Sequence, residues 1–147
     1  MLSKKSKYAI KALIALSKYN ESGWPLRISQ LSASERIPKK FLENILLQLK
    51  QHNILTSTRG INGGYLLSKK PHEIFLIDIF NITEGPIYFF PCGDKEDQQH
   101  CEDCPSQHTC SLKHLAQKAW EKQLEILGTT SIADLIALEK QHSGNKV

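Results

Sequence analysis

The sequence predicts a mainly α-helical fold, a winged helix-turn-helix with a small β-hairpin wing, followed by a long C-terminal helix. Three observations predict it: helical periodicity in three consecutive segments, a glycine-tipped run of β-branched residues after them, and a charge split along the chain. Residues 1–70 carry 13 Lys and Arg against three acids, Glu21, Glu35 and Glu43, whereas residues 71–147 carry 6 against 12. The net charge of +4 therefore hides a basic half suited to a polyanion and an acidic half that is not.

Each element has its own signal. From Lys4 to Asn20, Tyr8, Ala12, Leu16 and Tyr19 recur at helical spacing, and Gly23-Trp24-Pro25 ends the run. A short second helix is predicted over Ser29–Arg36, with Leu31 inward and Ile37-Pro38 as punctuation. Pro38 suits the first position of a third helix reaching about His52, whose inward face is Phe41, Leu42, Ile45, Leu46 and Leu49. Ile54–Thr58 and Tyr65–Leu67, separated by a glycine-rich stretch containing Asn62-Gly63, predict a hairpin. Ile74–Thr83 predicts another helix, closed by Gly85-Pro86, and Pro91–Cys110 a polar loop. The long helix follows over Ser111–Leu127, with Leu112, Leu115, Ala116, Ala119, Trp120, Leu124 and Leu127 on one side and Gly128 as its stop. Ser131 and Asp134 then form a capping signal for a last helix through Leu138, and the tail from Gln141 is expected to fray.

Composition bounds the function. An apolar share of 40% supports a real core, and 147 residues allow one domain plus an appended element. No apolar run approaches the roughly 18 residues of a membrane span, and the lysine-rich start lacks a secretory signal, so a cytoplasmic chain without a membrane partner is expected. In such a compartment thiols stay reduced, which points four cysteines toward metal or redox chemistry. No phosphate-binding glycine run, Cys–His nucleophile pair or zinc-protease helix is present, so neither an enzyme nor a small-molecule substrate is expected.

The order helix, short helix, helix, glycine-tipped hairpin suits double-stranded DNA. Lys39, Lys40, Glu43 and Asn44 project from the third helix, where a recognition helix meets the major groove. Lysines there neutralise phosphates, Asn44 can pair with an adenine edge, and Glu43 can accept from a cytosine amine while repelling misplaced phosphate. On the hairpin, Gly60, Gly63 and Gly64 permit positive φ and close backbone approach, and Arg59 can reach a narrow minor groove. A protein-interaction module built on the same winged helix is the alternative, and an ordinary surface hairpin would share its Asn-Gly turn.

Three stretches resemble the IscR, NsrR and CymR type of regulator: Lys7–Leu13, Ile37–Leu46, and Thr58-Arg59-Gly60-Ile61-Asn62-Gly63-Gly64-Tyr65-Leu66-Leu67. The resemblance continues through Asp78-Ile79, Glu84-Gly85-Pro86, the cysteine loop, Trp120 and Thr130–Leu135, and so spans nearly the whole chain. It implies a homodimeric winged-helix repressor or activator on a palindromic operator, with Ser111–Leu127 as the dimerisation helix. It also implies that Pro38–His52, with Phe41 among the contacts, lies in the major groove and the Arg59–Tyr65 wing in the minor groove. The expected organisation is a DNA-binding domain over 1–85, a cysteine-bearing sensor loop over 86–110, and dimerisation and C-terminal helices over 111–147.

All four cysteines fall in one window, Cys92-x8-Cys101-x2-Cys104-x5-Cys110. Thiolates so clustered suit soft metals or an iron–sulfur cluster. Similar regulators hold a [2Fe–2S] or [4Fe–4S] cluster on three loop cysteines plus one further ligand and sense iron–sulfur, redox or nitric oxide status. Cys92, Cys104 and Cys110 match that trio, and Cys101 is a fourth candidate. The chain departs from the pattern in having Lys113 at the place of the family's histidine ligand, with His114 one place further on, and Lys7-Tyr8 at that of an acidic one. A full set is then the four cysteines, or three of them plus His100, His108 or His114. Zinc, or a cluster-free thiol sensor, stays open beside the cluster.

Overall fold

The first apolar stripe forms α1 (Lys4–Asn20), which buries Ala9, Ala12, Leu13, Ile14 and Leu16. The computed structural model describes residues 3–85 and 110–143. After α1 come α2 (Ile28–Glu35), α3 (Lys39–Gln51), β1 (Leu55–Thr58), β2 (Gly64–Leu67), a 3-10 turn at Pro71–Glu73, α4 (Leu76–Glu84), α5 (Ser111–Thr129) and α6 (Ile132–Ser143). The sequence expectation holds in kind: a mostly helical chain with one two-stranded antiparallel hairpin.

One core joins these elements. Leu13 and Leu16 of α1, Leu31 of α2, and Leu42, Ile45, Leu46 and Leu49 of α3 meet Ile37, Ile54, Leu55, Ile74, Ile79 and Ile132 in a single cluster. Each such side chain stabilises the fold by about 1.5–3 kcal/mol. The turn between α2 and α3 is fixed by polar bonds. Arg36 takes a left-handed conformation, the Ile37 N–H and Ser32 hydroxyl donate to each other's carbonyls at 3.1 and 2.7 Å, and Lys11 Nζ caps the Glu35 carbonyl at 2.7 Å. That turn sets α3 across α1 with its polar side outward.

Several boundaries differ from the sequence reading for definite reasons. Pro38 is the N-cap of α3, and its carbonyl accepts from both Phe41 and Leu42 at 3.0 Å. Ile74 and Phe75 are extended, because Leu76 N–H donates to Thr130 O and Ile132 N–H to Ile74 O, each at 2.9 Å. Gly128 does not stop α5, which runs on to Thr129 as the Thr129 and Thr130 hydroxyls donate to the Glu125 and Ile126 carbonyls at 2.7 Å. The α6 cap forms as expected: Ser131 N–H donates to Asp134 at 2.8 Å and Asp134 N–H returns to Ser131 Oγ at 3.3 Å. The Ser131 hydroxyl, followed by its N–H, holds the Asp134 carboxyl below its ordinary value.

The two ends of the 3–85 segment cap each other. The first turn of α1 holds lysines and no acid, the wrong sign for a helix N-terminus. Glu84 supplies the missing carboxylate from the end of α4, accepting from the Ser3 and Ser6 hydroxyls. In return Lys5 Nζ donates to the Thr83 carbonyl at 2.8 Å, and the Ser6 and Thr83 hydroxyls bond at 2.7 Å inside the core. The Ser3 hydroxyl first, then that of Ser6, with the Lys5 charge adding less, holds the Glu84 carboxyl below its ordinary 4.5. A depressed folded-state pKa gives stability that is present above about pH 4.5 and lost as acid protonates the group. Glu84→Gln is therefore expected to lower stability at pH 7 by under about 1 kcal/mol at this exposed site, read as a small drop in Tm. The gap should narrow as pH falls below 4.5 and acid protonates the carboxylate, and a gap constant with pH would remove the ionic part of this contact.

Candidate nucleic-acid interface

Helical spacing on α3 separates two functions. Leu42, Ile45, Leu46 and Leu49 point into the core, which leaves Lys39, Lys40, Glu43, Asn44, Leu47 and Lys50 outside. No acid stands in its first turn, and two lysines at the positive end of a helix repel its dipole by a few tenths of a kcal/mol each, a cost that a bound anion removes. Among the described residues Lys39, Lys40 and Arg59 form no ion pair. Phe41, placed inward by periodicity, sits on the border of the helix faces: it is half exposed and meets the Tyr8 ring edge-on at 5.9 Å. Beside this first turn runs a groove of about 370 Å³ lined by Lys5, Pro38, Lys40, Phe41, Asn44 and Ile45.

The hairpin stands next to α3, and Lys50 Nζ reaches Ser57 Oγ on β1 at 2.7 Å. Its register pairs Leu55 with Leu67, Thr56 with Leu66, Ser57 with Tyr65 and Thr58 with Gly64. The tip is a turn closed by Gly63 N–H on Gly60 O at 3.0 Å, with Arg59, Gly60, Ile61 and Asn62 exposed. The glycines serve different purposes. Only Gly60 of the three has a positive φ, +106°, whereas Gly63 and Gly64 are needed for closeness. A Cβ on Gly63 would lie 2.4 Å from Thr58 O, and one on Gly64 2.6 Å from Leu26 O. Tyr65 is the root of the wing: half-buried against the core, it exchanges backbone bonds with Leu26 at 2.9 and 3.0 Å.

Arg27 is the residue that sequence reasoning missed. It occupies the N-cap of α2, where Ser, Thr, Asp or Asn is usual, and its guanidinium donates to the Ile61 carbonyl at the wing tip. The only signal was that unusual residue type at a helix start.

Of the four candidate cysteine ligands, Cys110 alone lies within the described residues, with His114 beyond it. It is the N-cap of α5, half-buried, and its carbonyl accepts from His114 N–H at 3.3 Å. Cys92, Cys101 and Cys104, and most of the 86–110 loop, lie outside them. Among the described residues no group of three His, Cys, Asp or Glu side chains converges as a metal site.

A family model described as iron-dependent transcriptional regulator, Rrf2, matches residues 2–138. The chain belongs to the Rrf2 family. Among its relatives, an rrf2-like helix-turn-helix transcriptional regulator of Rhodobacter capsulatus is 31% identical over 139 residues, 93% of each chain. IscR of Xenorhabdus nematophila is 24% identical over 92% of this chain and 78% of its own. In fold the Rrf2 chain matches the Bacillus subtilis global cysteine regulator CymR, with TM-score 0.77 and 24% identity over 94% of this chain and 97% of that one. T. potens IscR matches with TM-score 0.73 and 20% identity over 100% and 92%. The protein is thus an Rrf2-type transcriptional regulator with a winged-helix fold. Among the described residues no helix is long and apolar enough to cross a membrane.

Proposed function

We propose that this regulator is a homodimer that binds a palindromic DNA operator and responds to iron–sulfur, redox or nitric oxide status through its cysteine loop. One observation carries the DNA part: α3 and the adjoining wing expose cations, Lys39, Lys40 and Arg59, that nothing among the described residues neutralises. In this reading α3 enters the major groove, with Lys39 and Lys40 on phosphates and Glu43 and Asn44 on base edges. The wing enters the minor groove with Arg59 leading, and Gly60, Asn62, Gly63 and Gly64 shape its tip while Tyr65 anchors its root.

The organisation follows as a reading head over 1–85, a sensor loop over 86–110 and a pairing unit over 111–147. Cys110 fits a thiolate ligand, because the N-terminus of α5 stabilises negative charge. With Cys92, Cys101 and Cys104 it would hold an iron–sulfur cluster, which when bound supplies a centre sensitive to oxidant and nitric oxide. The family description and the relative named IscR support that cofactor. Zinc and a cluster-free thiol switch are the other outcomes for this loop, and an anaerobic absorption spectrum separates them. A change there would shift α5 and so the spacing of two reading heads, a coupling of typically about 1–3 kcal/mol.

A salt titration on the protein's own promoter DNA tests the reading. Affinity is expected to fall with a log–log slope of about −0.9 per phosphate contacted. Arg59→Ala should weaken binding at least about tenfold, and Lys40→Ala should flatten the slope by about one unit. Affinity indifferent to salt and to both substitutions would point instead to a protein-interaction module. Run anaerobically and after oxidation, the same titration with Cys104→Ala tests the sensor: identical binding in every arm removes it.

A further inference from the structure

We infer that Ile61 is a specificity-determining residue of the wing, an aliphatic wedge that selects A·T over G·C pairs in the minor groove. This rests on the proposal that the wing enters that groove. Ile61 is 88% exposed, the most exposed of the large apolar side chains among the described residues. A surface β-branched residue at a turn centre gains nothing from local folding: the turn places Ile61 and Asn62 between Gly60 and Gly63, positions suited to small polar residues. Its exposure is also held in place. The Arg27 guanidinium donates to the Ile61 carbonyl, and the Gly63 N–H closes the turn on the Gly60 carbonyl at 3.0 Å. The apolar side chain is therefore presented at the apex, two residues from the unpaired Arg59.

The chemistry of the groove says what such an apex distinguishes. In the minor groove A·T and T·A offer only acceptors, whereas G·C adds the guanine 2-amino donor. An aliphatic side chain pressed there strips water from that donor and returns no acceptor, a loss of about tenfold in affinity for one buried group. At A·T pairs the floor has no amino group to desolvate, and the acceptors remain open to Arg59. Arg59 pairs with acceptors that A·T and G·C pairs share and so supplies affinity, while the discrimination against the amino group falls to Ile61.

The test uses the full-length protein and a duplex it recovers from a randomised pool. Under the wing, A·T pairs are replaced by 2,6-diaminopurine·T, which adds the amino group, and G·C pairs by inosine·C, which removes it. Neither change alters the major-groove hydrogen-bonding groups, so α3 reads the same face. For wild type we expect about tenfold weaker binding with diaminopurine and a matching gain with inosine. Ile61→Ala should lose most of that sensitivity, and Ile61→Asn, which offers an acceptor, should tolerate the amino group. Arg59→Ala should weaken binding yet keep the response to added amino groups. A wild type indifferent to the amino group, or an Ile61→Ala protein as sensitive as wild type, overturns the wedge. Recovery of no duplex at low salt would instead overturn DNA binding itself, and the wedge with it.

Discussion

A Leu115→Glu, Ile126→Glu double variant is expected to sediment as a monomer and to bind operator about a hundredfold or more weakly. The reason lies on the outer face of α5. Ala116 is its buried side chain, while Leu115 and Ile126 are 66% and 63% exposed and Leu112 is exposed with them. Leu112, Leu115, Ala119, Lys122, Ile126 and Thr129 follow one another by alternating steps of three and four, the spacing of a seam between two supercoiled helices. Three large aliphatic side chains in one uncovered stripe suit a second copy of α5, with Lys122 as the single charge in the row. Two glutamates in the seam of each copy would face two more across the two-fold axis. On the proposed dimer, operator affinity should fall with pairing because the second half-site would then bind from solution and no longer at high effective concentration, a loss of 10²–10⁴ (roughly) in avidity. Sedimentation of wild type and variant at equal concentration reads the first effect and binding to a two-half-site duplex the second. A wild type that already runs as a monomer, or a variant of unchanged mass, would sink the pairing role of this face.

What the sequence disclosed, and what it hid, divides by range along the chain. Apolar spacing from Tyr8 to Tyr19 located α1 to the residue, and the stripe through Leu42 and Leu49 gave the right inner face of α3. Both are local signals, since a helix repeats its own face every turn. Phe41 shows the limit: it lies at the edge of that stripe, and only Tyr8, thirty-three positions earlier, decides that it stays at the rim. The exchange between Glu84 and the start of α1 spans about eighty positions, and Arg27 meets Ile61 across thirty-four, so no window of neighbouring residues encodes either. Apolar spacing places Ile74 in a helix for the same reason, because its extended backbone depends on Ile132 pairing beside it. The candidate DNA face was legible since charge and exposure travel with the helix face. The cysteine window is legible only as composition and spacing, and apart from Cys110 it lies outside the described residues.

Gly64→Ala is expected to destabilise the protein by about 2–4 kcal/mol and to detach the wing, although it adds a single methyl group. The built Cβ would stand 2.6 Å from Leu26 O and 2.7 Å from Leu26 C, both backbone atoms that no rotamer change can move aside. Relief requires the Leu26 and Tyr65 backbones to part, which breaks the pair of bonds at 2.9 and 3.0 Å fastening β2 to the start of α2. Arg27 is the next residue, so the same displacement pulls its guanidinium away from the Ile61 carbonyl. Gly60→Ala is the contrasting case: nothing lies within 4 Å of its Cβ, and the cost is the strain of φ +106° alone, about 1–2 kcal/mol. Thermal denaturation should rank the two, and exchange of the Tyr65 amide should accelerate in Gly64→Ala but stay near wild type in Gly60→Ala. Operator affinity should fall further for Gly64→Ala, because the cations of α3 keep their place while the wing loses its own. Equal losses in both variants, with Tyr65 protected in each, would mean that flexibility at the tip governs the wing and its close approach to Leu26 does not.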